Sequence, residues 1–179
     1  MGEGPFSWAQ RANDVYEVVK EEKLDSCVVI GFSDGGITAL QFAATHPKMV
    51  DRLVVMGAAY VLPGSRKFAY TSSSLLRDHK TLFEQRLKLM PQPHRWEESL
   101  QKINQLYNTQ YLSEALISSI QAPTLLIAGD KDEYVQVEQM VQTHRLVKSS
   151  RLSIIGGCGH VVFFCHWEAV WLSIQKFLS

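Results

Sequence analysis

The chain carries no excess charge. Its 18 Lys and Arg balance 18 Asp and Glu, for a formal net charge of zero at pH 7. That balance gives no electrostatic footprint for nucleic acid or for an anionic membrane. Long apolar runs are also missing, and none reaches the length that spans a bilayer. Cysteine is scarce: Cys27, Cys158 and Cys165 are the three, and no two form a C-x-x-C pair. A low, odd count in 179 residues predicts reduced thiols and a cytoplasmic setting. The start, M-G-E-G-P-F, has no basic segment followed by an apolar one, so it does not read as a secretory signal. Position 6 lacks the Ser or Thr of a myristoylation signal, and the chain has no N-x-S/T sequon, internal repeat or low-complexity segment. A longer amino terminus would make a mitochondrial location available.

What is present is an ordinary globular composition, 46% hydrophobic and 20% charged, in a chain long enough to bury a sizeable core. Trp8, Ala12, Val15, Val18 and Val19 recur at helical spacing and predict a first helix ending near Lys23. Cys27–Ile30 is apolar throughout and reads as a strand buried on both faces. A helix follows Ser33, carrying Ile37, Leu40, Phe42 and Ala43, and stops at His46-Pro47. Three further apolar runs, Leu53–Met56, Thr124–Ala128 and Leu152–Ile155, each end at or near glycine. A helical stretch near Val137–Leu146 separates the last two. Trp167, Val170, Trp171, Ile174, Phe177 and Leu178 are expected on one face of a final helix. Strands alternating with helices imply an α/β fold with a mostly parallel sheet flanked by helices. Residues 63–119 break the rhythm. They are helical in pattern and rich in aromatics (Phe68, Tyr70, Phe83, Trp96, Tyr107, Tyr111), and are expected to form a helical lid over the carboxyl ends of the strands. Residues 1–62 and 120–179 would form the core.

Gly31-Phe32-Ser33-Asp34-Gly35 fits G-x-S-x-G. The pattern alone is weak, but here an apolar strand runs in and a helix runs out, as a nucleophile elbow requires. Glycine at 31 and 35 would keep a tight turn clear of its neighbours. Such a corner lifts the Ser33 hydroxyl to the sheet edge. It also sets the Asp34 N–H at a helix N-terminus, where it could donate to an oxyanion. A serine needs a base to become a nucleophile. Of six histidines, His160 in G-G-C-G-H stands just after the last strand, with His166 at the start of the final helix as its rival. The base needs an orienting carboxylate, and the segment after the third strand offers Asp132 first and Asp130 second. The order Ser33, Asp132, His160 is that of an α/β-hydrolase triad. Each residue also has a plainer reading: Ser33 as a small turn residue, Asp132 as a helix cap, His160 as a loop histidine. Asp34 either pairs with a substrate ammonium or complements the helix dipole. Cys158 is expected to be a small packing residue and not a redox switch.

Together the elbow, G-D-K-D after the third strand and G-C-G-H after the fourth resemble the α/β-hydrolase superfamily. The run G-F-S-D-G-G-I-T-A-L-Q-F-A-A-T-H-P is more specific and resembles the biphenyl hydrolase-like (valacyclovir hydrolase) group. The resemblance covers most of the chain and is weakest through the lid. It implies a serine esterase acting on small esters, amino-acid esters being the favoured class, with Asp34 recognising the substrate α-amino group. Phe32 stands where that group usually has tryptophan, beside the substrate. No metal or organic cofactor is implied, and a serine at the elbow argues against the dehalogenases and epoxide hydrolases that use aspartate there.

One departure is large. In the family several strands precede the elbow, but here only 32 residues do, with no convincing strand among them. The chain therefore resembles the carboxyl-terminal two-thirds of a hydrolase: a shorter isoform, a fragment, or a piece of a longer protein. The second oxyanion donor of the family comes from an earlier loop. Loss of one such donor typically costs about 10²–10³ in rate. The first strand would also present an open edge through which chains could self-associate. A catalytically weak or silent chain acting through such association is the alternative expectation.

Overall fold

The structure, a computed structural model, describes residues 6–61, 64 and 67–179. The chain divides into two compact units. One comprises Met1–Ser7 with Leu62–Tyr111, and the other Trp8–Val61 with Leu112–Ser179.

The larger unit is built on a four-stranded parallel sheet in the order β1 (Cys27–Phe32), β2 (Val50–Met56), β3 (Thr124–Gly129) and β4 (Ser150–Ile155). All four expected apolar runs are strands, each a little longer than its apolar part. Helix α1 (Trp8–Glu21) precedes β1, and α2 (Asp34–Thr45) joins β1 to β2. Between β2 and β3 the described residues form helices α3 (Ser72–Asp78), α4 (Lys80–Leu89), α5 (Trp96–Thr109) and α6 (Glu114–Ser118), and no strand. Helix α7 (Val137–Leu146) joins β3 to β4; α8 (Val162–Cys165) and α9 (Trp167–Leu178) follow β4.

Register puts the strand ends level. Phe32 pairs with Met56, Met56 with Ile127, and Gly129 with Ile155. The ladder then runs one residue past the strands: Ser33 N–H donates to Met56 C=O at 2.8 Å, Gly57 N–H to Ile127 C=O at 2.9 Å, and Asp130 N–H to Ile155 C=O at 3.1 Å. Whatever follows each strand therefore arrives at one common edge.

Side chains alternate across the strands. Val54, Met56, Leu125, Ile127 and Ile155 bury against Val170, Ile174 and Phe177 of α9. Leu53, Val55 and Leu126, equally buried, project to the opposite face, where α2 and α7 pack. Helix α9 covers β3 and β4, so two expectations change. Val28 and Ile30 of β1 are 44% and 52% exposed, because β1 is an edge strand and no described helix covers that part of its face. It is not buried on both sides. Trp167 and Trp171 do not share the buried stripe of α9 either; they are exposed and stack on each other at 5.6 Å.

Cys158 and Cys165 form a disulfide with a Cα–Cα distance of 5.7 Å, leaving Cys27 as the free thiol. This corrects the expectation of three reduced cysteines. The turn after β4 and the single turn of α8 fold the two residues to within bridging distance despite a separation of seven. The cysteine count thus says nothing of compartment. Cys158 is nonetheless the buried packing residue expected, within the cluster under α9. Among the described residues no helix is long and apolar enough to cross a membrane.

The smaller unit is held by its own polar and ring contacts. Asn104 and Asn108 of α5 each donate to and accept from one backbone position, at Tyr70 and Phe68 respectively, so two side-chain amides act as a strand partner for that segment. Phe68 also packs on Tyr70 and Tyr107, and Phe83 stacks on Trp96. Glu98, bonded first by Arg95 and then by Lys102, is held down to about 2.

Candidate active site

The corner after β1 is tight. Ser33 has φ 51° and ψ −118°, a left-handed conformation that a residue with a Cβ rarely adopts. Such a residue is held only where its surroundings over-determine it. Here its N–H is fixed on Met56, and its C=O takes the N–H of Gly36 and Ile37, the first turn of α2. At Gly31 a Cβ would lie 2.4 Å from the carbonyl oxygen of Gly35, so that glycine is needed for the crossing of strand and helix. The expectation for Gly35 fails, because nothing lies within 4 Å of its would-be Cβ. The second close approach belongs to Gly36, whose Cβ would lie 2.6 Å from that of Ala58.

After β3, the turn holding Asp132 is closed by its own side chain. Oδ1 accepts the N–H of Tyr134 at 2.8 Å and of Val135 at 2.9 Å. The same carboxylate meets His160 Nδ1 at 2.9 Å through Oδ2 and at 3.1 Å through Oδ1. Its side chain is fully buried. Burial, the largest influence, pushes the Asp132 pKa up, but the hydrogen bond from His160 and those from Val135 and Tyr134 outweigh it and hold it below the ordinary aspartate value. The runner-up, Asp130, is spent elsewhere and accepts Gly157 N–H at 2.6 Å.

His160 Nε2 lies 2.8 Å from Ser33 Oγ. Ser33, Asp132 and His160, which follow β1, β3 and β4, thus meet in one hydrogen-bonded line. The imidazole is 14% exposed, and its ring packs between Phe32 (centroids 5.0 Å apart) and Tyr134 (4.9 Å). Phe163 closes edge-on against Phe32 at 4.9 Å. Behind the ring sits Gly57, at φ +57°; a Cβ there would lie 3.2 Å from His160 Cε1. The rival His166 caps α9, receiving the N–H of Ala169.

Asp34 is the first residue of α2, so its N–H is among the helix's unsatisfied donors and points with the positive end of the dipole. Its side chain is not free. Oδ2 pairs with the Arg11 guanidinium of α1, while Oδ1 is buried with no hydrogen-bond partner among the described residues. Arg11, Gly36, Gly57 and Tyr134 escaped the sequence reading. Only Gly57 left a signal, as the glycine that ends β2. Among the described residues no cluster of three or more His, Cys, Asp or Glu could hold a metal ion.

Residues 2–171 match the family model described as the alpha/beta hydrolase family. The chain belongs to that family. It is 26% identical to the human serine hydrolase BPHL over 154 residues, which are 80% of this chain and 52% of that protein. It is 28% identical to a 2-hydroxy-6-oxo-2,4-heptadienoate hydrolase of Pseudomonas putida, covering 89% of this chain and 64% of the relative. The chain thus spans about half to two-thirds of the length of these curated relatives. In fold it is similar to a serine hydrolase involved in carbazole degradation, with a TM-score of 0.80 at 22% identity over 99% of this chain and 73% of that one. A meta-cleavage product hydrolase from Pseudomonas fluorescens gives 0.79 at 18% identity, over 99% and 74%.

Proposed function

We propose that this hydrolase is a serine esterase that cleaves small carboxylic esters through an acyl-enzyme. The observation that carries the reading is the unbroken line from the Asp132 carboxylate through both ring nitrogens of His160 to Ser33 Oγ. Asp132 fixes the imidazole with Nδ1 as donor, which leaves Nε2 as the acceptor for the serine proton. Ser33 attacks the ester carbonyl while the Asp34 N–H donates to the developing oxyanion. His160 returns the proton to the leaving alcohol, then takes one from water to release the acid. Phe32 forms an apolar wall beside the reacting carbonyl. None of these steps calls on a metal or an organic cofactor.

The Asp34 carboxylate bears on the substrate class. An amino-acid ester would present its ammonium to an acid that Arg11 already engages, so neutral acyl esters compete on better terms than they would at a bare Asp34. One relative is named for 2-hydroxy-6-oxo-2,4-heptadienoate and one structural neighbour for a meta-cleavage product, so oxo-dienoates belong beside esters in a substrate screen. A second reading, association of silent chains through β1, is favoured by the exposure of Val28 and Ile30.

The deciding experiment is labelling with a fluorophosphonate, which reports an activated serine whatever the substrate. Label should attach at Ser33, and Ser33→Ala should lose it together with ester turnover, the latter by about 10⁴ or more. Undiminished labelling of that variant, or a folded wild-type chain that takes no label, would sink the esterase reading.

A further inference from the structure

Ser33 is set between β1 and α2, and Asp132, in an irregular turn, is set by the two backbone N–H groups that its own carboxylate accepts. His160 is different. It lies in the irregular segment between β4 and α8, and neither strand nor helix fixes its backbone. Yet its ring must hold both Asp132 and Ser33 within hydrogen-bond distance, and a misplacement of about 1 Å at such a group can cost about 10²-fold in rate.

The disulfide spans this segment. Cys158 stands two residues before His160 and Cys165 five after it, so the bond closes a small ring of chain around the base. The Cys158 end is anchored. It is buried, its C=O accepts Lys131 N–H at 2.9 Å from the turn that carries Asp132, and its carbonyl oxygen approaches to 2.0 Å of where a Cβ on Gly129 would be. The Cys165 end is exposed, at the close of the one-turn α8. Between them Phe163 packs on Phe32, which packs on the His160 ring. The covalent link therefore ties the exposed end of α8 back to the point where the His160 segment is fixed on the Asp132 turn, closing the stretch that carries His160.

We propose that Cys158 and Cys165 are positioning residues for His160, and that opening their disulfide uncouples the base from Asp132 and Ser33, so that the activity depends on thiol redox state. The inference rests on the triad reading above. An external dithiol is the reductant. Its thiolate attacks the exposed Cys165 sulfur, the Cys158–Cys165 bond breaks, and the second dithiol sulfur closes a cyclic disulfide as it leaves. The protein gains two electrons and two protons as two thiols, and the dithiol loses the same. Cys27 is a poor competitor in this exchange, since burial, and then the Asp51 carboxylate, raise its thiol pKa.

The test uses the full chain, oxidised and after treatment with dithiothreitol. Alkylation and mass should count one free thiol before reduction and three after it. Reduction should lower the maximal rate of Ser33 labelling by about 10–100-fold and leave the half-saturating probe concentration unchanged. Reoxidation with a disulfide such as oxidised glutathione should restore the rate. Cys165→Ser should label slowly and ignore the dithiol. A second readout needs no turnover: the low-field proton signal of His160 Nδ1 held by Asp132 should be present when oxidised and lost when reduced. If that signal survives in a chain with three free thiols, or if the reduced chain labels at the oxidised rate, the inference is overturned. It is equally overturned if reduction melts the whole fold by circular dichroism, because the link then serves stability and not position. Absence of Ser33 labelling in the oxidised chain would count against the esterase reading, while the proton signal would still decide the link.

Discussion

Asp132 serves the turn and the His160 ring with one carboxylate, and its pH behaviour follows from that. In the unfolded chain it has the ordinary aspartate pKa of about 4. In the folded chain the bonds from His160, Val135 and Tyr134 outweigh burial and hold it lower. The unfolded state therefore takes up a proton first as pH falls. Stability from this group is full above about pH 4 and drains away as the pH drops toward the folded value. Urea midpoints taken from neutral pH downward should show that loss in the wild type and a flatter course in Asp132→Asn; parallel curves would refute it. At neutral pH the same variant should lose about 10⁴ in kcat, because the amide favours the wrong tautomer of His160. Arg11 offers a second residue-level test. With Arg11→Gln the Asp34 carboxylate loses its cation, and a substrate ammonium can take the place. The ratio of kcat/KM for an amino-acid ester to that for its des-amino analogue should rise about tenfold, the scale of one hydrogen bond to a charged group. An unchanged ratio would mean that Asp34 does not face the substrate.

At the scale of elements, the crossing of β1 and α2 sets a contrast between two glycines of one motif. Gly31→Ala would drive a Cβ to 2.4 Å from the Gly35 carbonyl oxygen and should cost about 1–3 kcal/mol. Gly35→Ala meets nothing and replaces a poor helix former, so it should be neutral or raise stability by up to about 1 kcal/mol. Urea unfolding of both variants reads this directly, and equal losses would contradict the packing described. The motif pointed to Gly35 while the space demands Gly36, because a pattern of residues does not encode which helix face meets Ala58. The same divide runs through the fold. The strands were legible because parallel strands in a buried sheet read as apolar runs ending in glycine, and Ser33, Asp132 and His160 because each follows a strand end. The exposure of Val28 and Ile30 was not legible, since an apolar run looks the same with or without a covering helix. In α9, Trp167 and Trp171 fell off the stripe of Val170, Ile174 and Phe177, a difference of helix angle that composition hides. The disulfide needed the fold of α8 to bring its two ends together.

For the molecule as a whole, the order β1-β2-β3-β4 leaves β1 at a margin of the sheet, with no strand among the described residues paired along its outer side. On the face where α9 covers β3 and β4, Val28 and Ile30 stay open at 44% and 52%. An exposed apolar edge strand is a template for pairing with another chain. If β1 pairs with a second copy of this chain, as the second reading above has it, the two edges match in pattern and length. The weight-average mass should therefore rise with concentration across the micromolar range. Ile30→Lys puts a charge into that surface at a site already half in water, so the substitution should leave the thermal transition within a few degrees and shift the chain to monomer. Sedimentation equilibrium on both chains makes the comparison. A wild type that stays monomeric at every concentration removes β1 as an association surface. If Ile30→Lys is monomeric and still labels at Ser33 with the wild-type rate, association and chemistry are separate properties of the molecule. A monomer that has lost its labelling would mean that the second copy completes the site.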